Sequence, residues 1–112
     1  MKIEIIPCLK DNYSYVIIDE NNKKTCVVDP SESEPIINFL EINNLKLNYI
    51  LNTHHHYDHI GGNIELKKKY KAKVVGFNED YKRIPGIDTK LKDGETWKED
   101  NFEAKVLHIP GH

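Results

Sequence analysis

Between an apolar run at Leu47 to Leu51 and a helical stretch beginning near Gly62, the chain places Thr53-His54-His55-His56-Tyr57-Asp58-His59-Ile60-Gly61-Gly62-Asn63. No other feature restricts the fold as much. Four of the six histidines and an aspartate crowd into seven residues, and such donors converge only if a rigid scaffold holds them. Loops at the carboxyl ends of strands in α/β proteins provide that scaffold. His54, His56 and Asp58 recur at every second residue, so in an extended loop they project to one side. His59 adds a fourth donor pointing elsewhere, while His55 and Tyr57 alternate out of the set.

Imidazole nitrogen and carboxylate oxygen suit Zn, Fe or Mn, and the lack of a nearby thiolate argues against a closed structural zinc site. Gly61-Gly62 lets the backbone turn into the next helix and leaves N–H groups to approach an anion. The plain alternative is a histidine-rich surface loop. Four donors at this spacing, at a strand-to-helix junction, favour a metal site. The run is internal and interrupted, which excludes an expression tag.

The flanking sequence supports an α/β scaffold. Lys2 to Ile6 alternates as a strand that Pro7 and Asp11-Asn12 end. Tyr13 to Asp19 and Thr25 to Val28 follow across a polar turn, predicting an antiparallel meander. Ser31-Glu32-Ser33-Glu34-Pro35 is a helix start, with Ile36, Ile37 and Leu40 at helical spacing as far as Asn43-Asn44. Leu47 to Leu51 reads as a strand, 62–71 as a helix with Lys67-Lys68-Lys69 facing out, and Lys73 to Phe77 as a strand. Pro85-Gly86 and Asp93-Gly94 mark a loop-rich stretch, and Phe102 to His108 reads as a last strand. Trp97 and Tyr49 read as packing residues.

At 112 residues, with 38% hydrophobic and 30% charged content, the chain is one soluble globular domain at most. A formal net charge of −2 gives no reason to expect nucleic acid as a partner. No apolar run is long enough to cross a membrane, and the N-terminus has no signal-peptide core. Cys8 and Cys26 are read as reduced thiols of a cytoplasmic protein.

The motif "THHHYDH" resembles the T-H-x-H-x-D-H signature of the metallo-β-lactamase superfamily. The "GGN" extension and "PCLKDNYSYVI" from Pro7 to Ile17 resemble glyoxalase II, the hydroxyacylglutathione hydrolases. The terminal "IPGH" is similar to that family's T-P-G-H-T block, with Ile109 in place of threonine. The resemblance implies the first half of an αβ/βα sandwich, a mixed sheet with flanking helices, so residues 1–112 form a partial domain. By it, His54, His56 and His112 match the ligands of one metal, and Asp58 and His59 match ligands of a second. The implied reaction is hydrolysis of S-D-lactoylglutathione to D-lactate and glutathione. Two Zn2+ ions, with Fe or Mn as alternatives, would lower the pKa of water and stabilise the oxyanion. Asp58 is the candidate catalytic residue, orienting the nucleophile.

The family's enzymes are about twice this length. The chain ends before the positions of the bridging aspartate, the last metal histidine and the residues that hold glutathione. The expectation is therefore a thioester hydrolase by descent, weak or inactive alone, with at most one metal well held. Self-association or a separately encoded second half would complete it. The alternatives are a non-catalytic remnant that binds one metal, and another hydrolase or persulfide dioxygenase of the superfamily. Asp29 is a candidate to orient a metal-bound histidine. His108 is either such a partner or an ordinary strand-end residue. The lysine run reads as a solvated helix face rather than an anion site.

Overall fold

Along Tyr13 to Ile18 the side chains alternate between exposed and buried, and this period of two divides the whole molecule into two faces. The computed structural model describes residues 2–8, 12–52, 62–77, 87–91, 95–100 and 102–105. Within them the strands are β1 (Lys2–Cys8), β2 (Asn12–Asp19), β3 (Lys24–Val28), β4 (Tyr49–Asn52), β5 (Lys73–Phe77), β6 (Thr89–Leu91), β7 (Thr96–Glu99) and β8 (Phe102–Lys105). The helices are α1 (Ser33–Ile42) and α2 (Asn63–Tyr70).

Strands β1 to β6 form one mixed sheet in sequence order. Its first three strands are antiparallel, as the predicted meander requires, and β3, β4, β5 and β6 run parallel. Parallel neighbours need crossovers, and α1 and α2 supply two of them. Both helices pack on one face. Val16, Ile18, Val27, Ile50 and Val74 meet Ile36, Leu40 and Leu66 there. Burying each such side chain stabilises the fold by about 1.5–3 kcal/mol. Leu66 is the one fully buried apolar residue of α2, so that helix depends on few contacts for its position.

The other face carries Cys26, Val75 and Leu91, packed against Trp97 of β7 and Phe102 of β8. Tyr49 stands edge-on to both rings, with centroids 5.2 Å and 5.8 Å away, a favoured aromatic geometry. Its hydroxyl donates to Asp100 in the β7–β8 turn. Burial, and then that carboxylate, push the Tyr49 phenol above its usual range. The hairpin covers the sheet only in part. Towards β1 and β2 the same face leaves Ile3, Ile5, Tyr13 and Tyr15 exposed, and Ile5 lies directly opposite Tyr15.

Three local readings differ from the structure. Pro7 lies inside β1, paired with Tyr13; β1 is an edge strand, where a missing N–H costs little. β4 runs Tyr49–Asn52, and Leu47, though buried, precedes it. The stretch read as loops contains β6 and β7. Asn43 and Asn44 do end α1: the Asn43 side chain donates to the Phe39 carbonyl at 2.8 Å, and Asn44 takes positive φ. Among the described residues, no helix is long and apolar enough to cross a membrane.

Candidate metal centre

Residues 53–61, which carry the histidine motif, lie in the chain between the carboxyl end of β4 and the start of α2. His54, His56, Asp58, His59 and His112 lie outside the described residues, as do His108 and Asp11. Among the described residues, no group of three His, Cys, Asp or Glu side chains is placed to hold a metal. What the structure describes is the frame around the loop.

That frame is built from four ties. Asn52, the last residue of β4, and Asn63, the first of α2, are 5% and 0% exposed. Asn63 Nδ2 donates to Asn52 Oδ1 at 2.5 Å, and Asn52 Nδ2 donates back to Asn63 Oδ1 at 3.3 Å. Gly62 donates its backbone N–H to the Pro30 carbonyl at 2.8 Å. Asp29 N–H donates to the Leu51 carbonyl at 2.8 Å, and Ser33 Oγ donates to Glu65 Oε2 at 2.6 Å. The connection from β3 to α1 is thereby laced to both ends of the loop.

Asp29 is buried beside β4 with φ of 52°, in the left-handed region. Aspartate tolerates that region better than most residues, and Ser14 Oγ donates to its carbonyl at 2.8 Å. This puts Asp29 at the carboxyl end of β3, one strand from the entry to the loop. The expectation for Gly62 needs correction. Its N–H is spent on Pro30 rather than offered to an anion, and its φ of −94° needs no glycine. The reason for a glycine is closeness: a Cβ there would lie 2.9 Å from the backbone of Glu32 and Ser33.

Asn63 is the functional candidate that pattern reading misses, because an asparagine at a helix start reads as a solvated cap. The available signal is its symmetry with Asn52, one amide on each side of the histidine motif. The donor set itself fits a divalent ion. His54, His56, His59 and Asp58 offer the nitrogen and oxygen ligands that zinc, iron or manganese take, and the described residues on either side of them, Asn52 and Gly62-Asn63, are held in place. The lysine run is a solvated face whose charge is answered locally. Lys67 pairs with Asp88 at 2.8 Å, Lys69 with Glu41 at 3.2 Å and Lys73 with Glu99 at 2.9 Å.

The profile of the metallo-beta-lactamase superfamily matches residues 10–112. The chain belongs to the metallo-beta-lactamase superfamily. Membership implies a site for divalent metal. The chain is similar to the hydroxyacylglutathione hydrolase of Pelagibacter ubique (strain HTCC1062), at 58% identity over 112 residues, which are all of this chain and 47% of that protein. It is also similar to the hydroxyacylglutathione hydrolase of Methylococcus capsulatus, at 44% identity over 112 residues and 44% of that protein. The chain spans about half the length of the curated relatives it matches. Among solved structures, the BLEG-1 B3 metallo-beta-lactamase superposes with a TM-score of 0.83 at 23% identity, over 98% of this chain and 62% of that one. ETHE1 from Myxococcus xanthus does so with a TM-score of 0.77 at 22% identity, over 94% of this chain and 47% of that one. Both show the superfamily fold, a mixed sheet with helices.

Proposed function

We propose that this chain supplies the metal-binding half of a hydrolase of glutathione thioesters, with S-D-lactoylglutathione as the substrate to test first. The observation that carries the reading is the 58% identity with a hydroxyacylglutathione hydrolase over all 112 residues of the chain. Zn2+, with Fe or Mn as alternatives, supplies Lewis acidity and brings the pKa of water towards neutrality. His54, His56 and His112 hold one ion; Asp58 and His59 contribute to a second.

Asp58 also orients the attacking water by accepting its hydrogen bond. Hydrolysis breaks the acyl C–S bond, adds hydroxyl to the acyl carbon and leaves the proton with the glutathione sulfur. A thiolate leaves readily, so no general acid is required of this chain. The free, buried Cys26 suits a reducing cytoplasmic setting.

The test follows thioester loss from S-D-lactoylglutathione, using the chain alone and the chain mixed with the remaining half of the Pelagibacter relative. Turnover that disappears on chelation and in Asp58→Ala supports the proposal. Metal binding without turnover in either sample makes the chain a metal-binding module and overturns it. Oxygen-dependent turnover of a glutathione persulfide by the iron-loaded mixture would replace it with a dioxygenase.

A further inference from the structure

The buried amide pair at the two ends of the histidine loop has a geometry that stability alone does not explain. Asn52 and Asn63 are eleven positions apart and bond reciprocally, each side chain donating to the other's carbonyl oxygen. Both amides are out of water, where a polar group without a partner is costly and a paired one roughly breaks even against an apolar neighbour. Two leucines of similar size would fill the same space and join the helix to the strand equally well. An apolar contact, however, tolerates sliding and rotation. Two opposed amide bonds form only at one offset and one relative orientation.

The elements on either side make that orientation matter. Asn52 ends β4, so its backbone sets the direction in which the chain sets off towards His54. Asn63 opens α2, and the rotation of that first turn sets where the chain returns from His59. Leu66 and the partly buried Tyr70 seat α2 on the apolar core and Ser33 Oγ holds Glu65 against α1, while the amide pair is the directional contact that joins the first residue of α2 to β4. The hydrogen bond from Gly62 to Pro30 fixes its distance from the β3–α1 connection but not its alignment with β4.

We propose that Asn52 and Asn63 are positioning residues: their amide clasp sets the span and entry angles of the loop, and through them the geometry in which His54, His56, Asp58 and His59 meet a divalent ion. This rests on the metal-site reading above. It assigns to the pair a role in metal affinity and coordination geometry rather than in stability.

The test uses the full chain with Co2+ as the probe, reading affinity by competition titration and geometry from the visible absorption of the bound ion. Thermal unfolding without metal is measured alongside. Asn52→Leu and Asn63→Leu each break the reciprocal pair inside the core and lower the melting temperature. The double variant removes both amides, so that neither is left facing an apolar side chain in place of its partner. Its Co2+ affinity nevertheless stays lower by about tenfold or more, the usual effect of removing a partner that orients metal ligands, and its absorption spectrum is altered. A double variant that binds Co2+ with unchanged affinity and spectrum overturns the proposal, since the pair would then be packing alone. Asn63→Ser keeps one donor at the helix start, should the leucine variants fold poorly. Reduced Co2+ affinity in that variant supports the clasp, and unchanged affinity overturns it. Wild-type chain that binds no Co2+ overturns the metal-site reading and the clasp together, whereas wild-type binding with indifferent variants overturns the clasp only.

Discussion

Gly62 and Pro30 meet backbone to backbone: the Gly62 N–H donates to the Pro30 carbonyl at 2.8 Å. A Cβ on Gly62 would sit 3.0 Å from that same oxygen and 2.9 Å from the Glu32 carbonyl carbon and the Ser33 nitrogen. No flexible side chain is there to give way. Gly62→Ala therefore has to push the start of α1 away from the exit of the histidine loop. Overpacking of this kind costs about 1–3 kcal/mol, and a lowered melting temperature is the expected result. An unchanged melting temperature would mean that the β3–α1 connection has room to retreat.

The site and its frame differed in how far they could be read from residues alone. The histidine spacing identifies ligand chemistry because metal donors are few and their order is local. The β1–β3 meander, α1, α2 and β5 follow from alternation, a helix start and asparagine stops, all of which act within a few residues. β6 does not, because Thr89–Leu91 is three residues beside β5 in a stretch dominated by glycine, proline and charge. Its existence depends on a parallel partner distant in sequence. β7 has one large apolar residue, Trp97, and is a strand because β8 and Tyr49 lie against it. The Asn52–Asn63 pair was hidden for the same reason. Its two members become neighbours only once β4 and α2 are packed together.

Trp97 and Cys26 belong to the same buried cluster, which links the hairpin's docking to a chemical readout. Burial pushes the Cys26 thiol up to about 12, and its side chain is fully covered. The native protein is expected to leave Cys26 unreactive towards a thiol reagent near neutral pH, since the thiolate is the reacting form. Trp97→Ala removes the main apolar contact of β7 and should cost about 3–5 kcal/mol, a large share of a small domain's stability. Mass spectrometry after a timed pulse of reagent would show Cys26 labelled in that variant and protected in the wild type. Equal protection in both would show that the hairpin is not what covers the thiol.

Asp88 gives the fold an acid-sensitive contact. Burial works to raise its pKa, but hydrogen bonds from Lys67 and the Val74 N–H, with the Lys67 charge, outweigh it and hold the carboxyl below its ordinary value near 3.8. A lowered pKa in the folded state means the folded chain prefers the ionised form. That contribution is therefore fully present above pH 3.8 and is lost as the pH falls through the lowered value. Unfolding midpoints measured across the acid range should decline less steeply for Asp88→Asn than for the wild type. Parallel curves would remove Asp88 from the acid response.

Ile5 and Tyr15 face each other across β1 and β2, with Ile3 and Tyr13 flanking them on the same exposed face. The β7–β8 hairpin covers the neighbouring part of that face and stops short of these four. An uncovered apolar ladder on an edge strand invites a second sheet, so the isolated chain is expected to self-associate as its concentration rises. Ile5→Lys combined with Tyr15→Glu replaces the apolar pair with opposite charges at directly facing positions, an arrangement that supports strand pairing rather than weakening it. Sedimentation equilibrium should then show the wild type climbing above 13.1 kDa while the double variant stays at monomer mass with its sheet intact by circular dichroism. A wild type that remains monomeric at every concentration would mean that the ladder is tolerated in water. Association that persists in the double variant would instead move the contact to another surface.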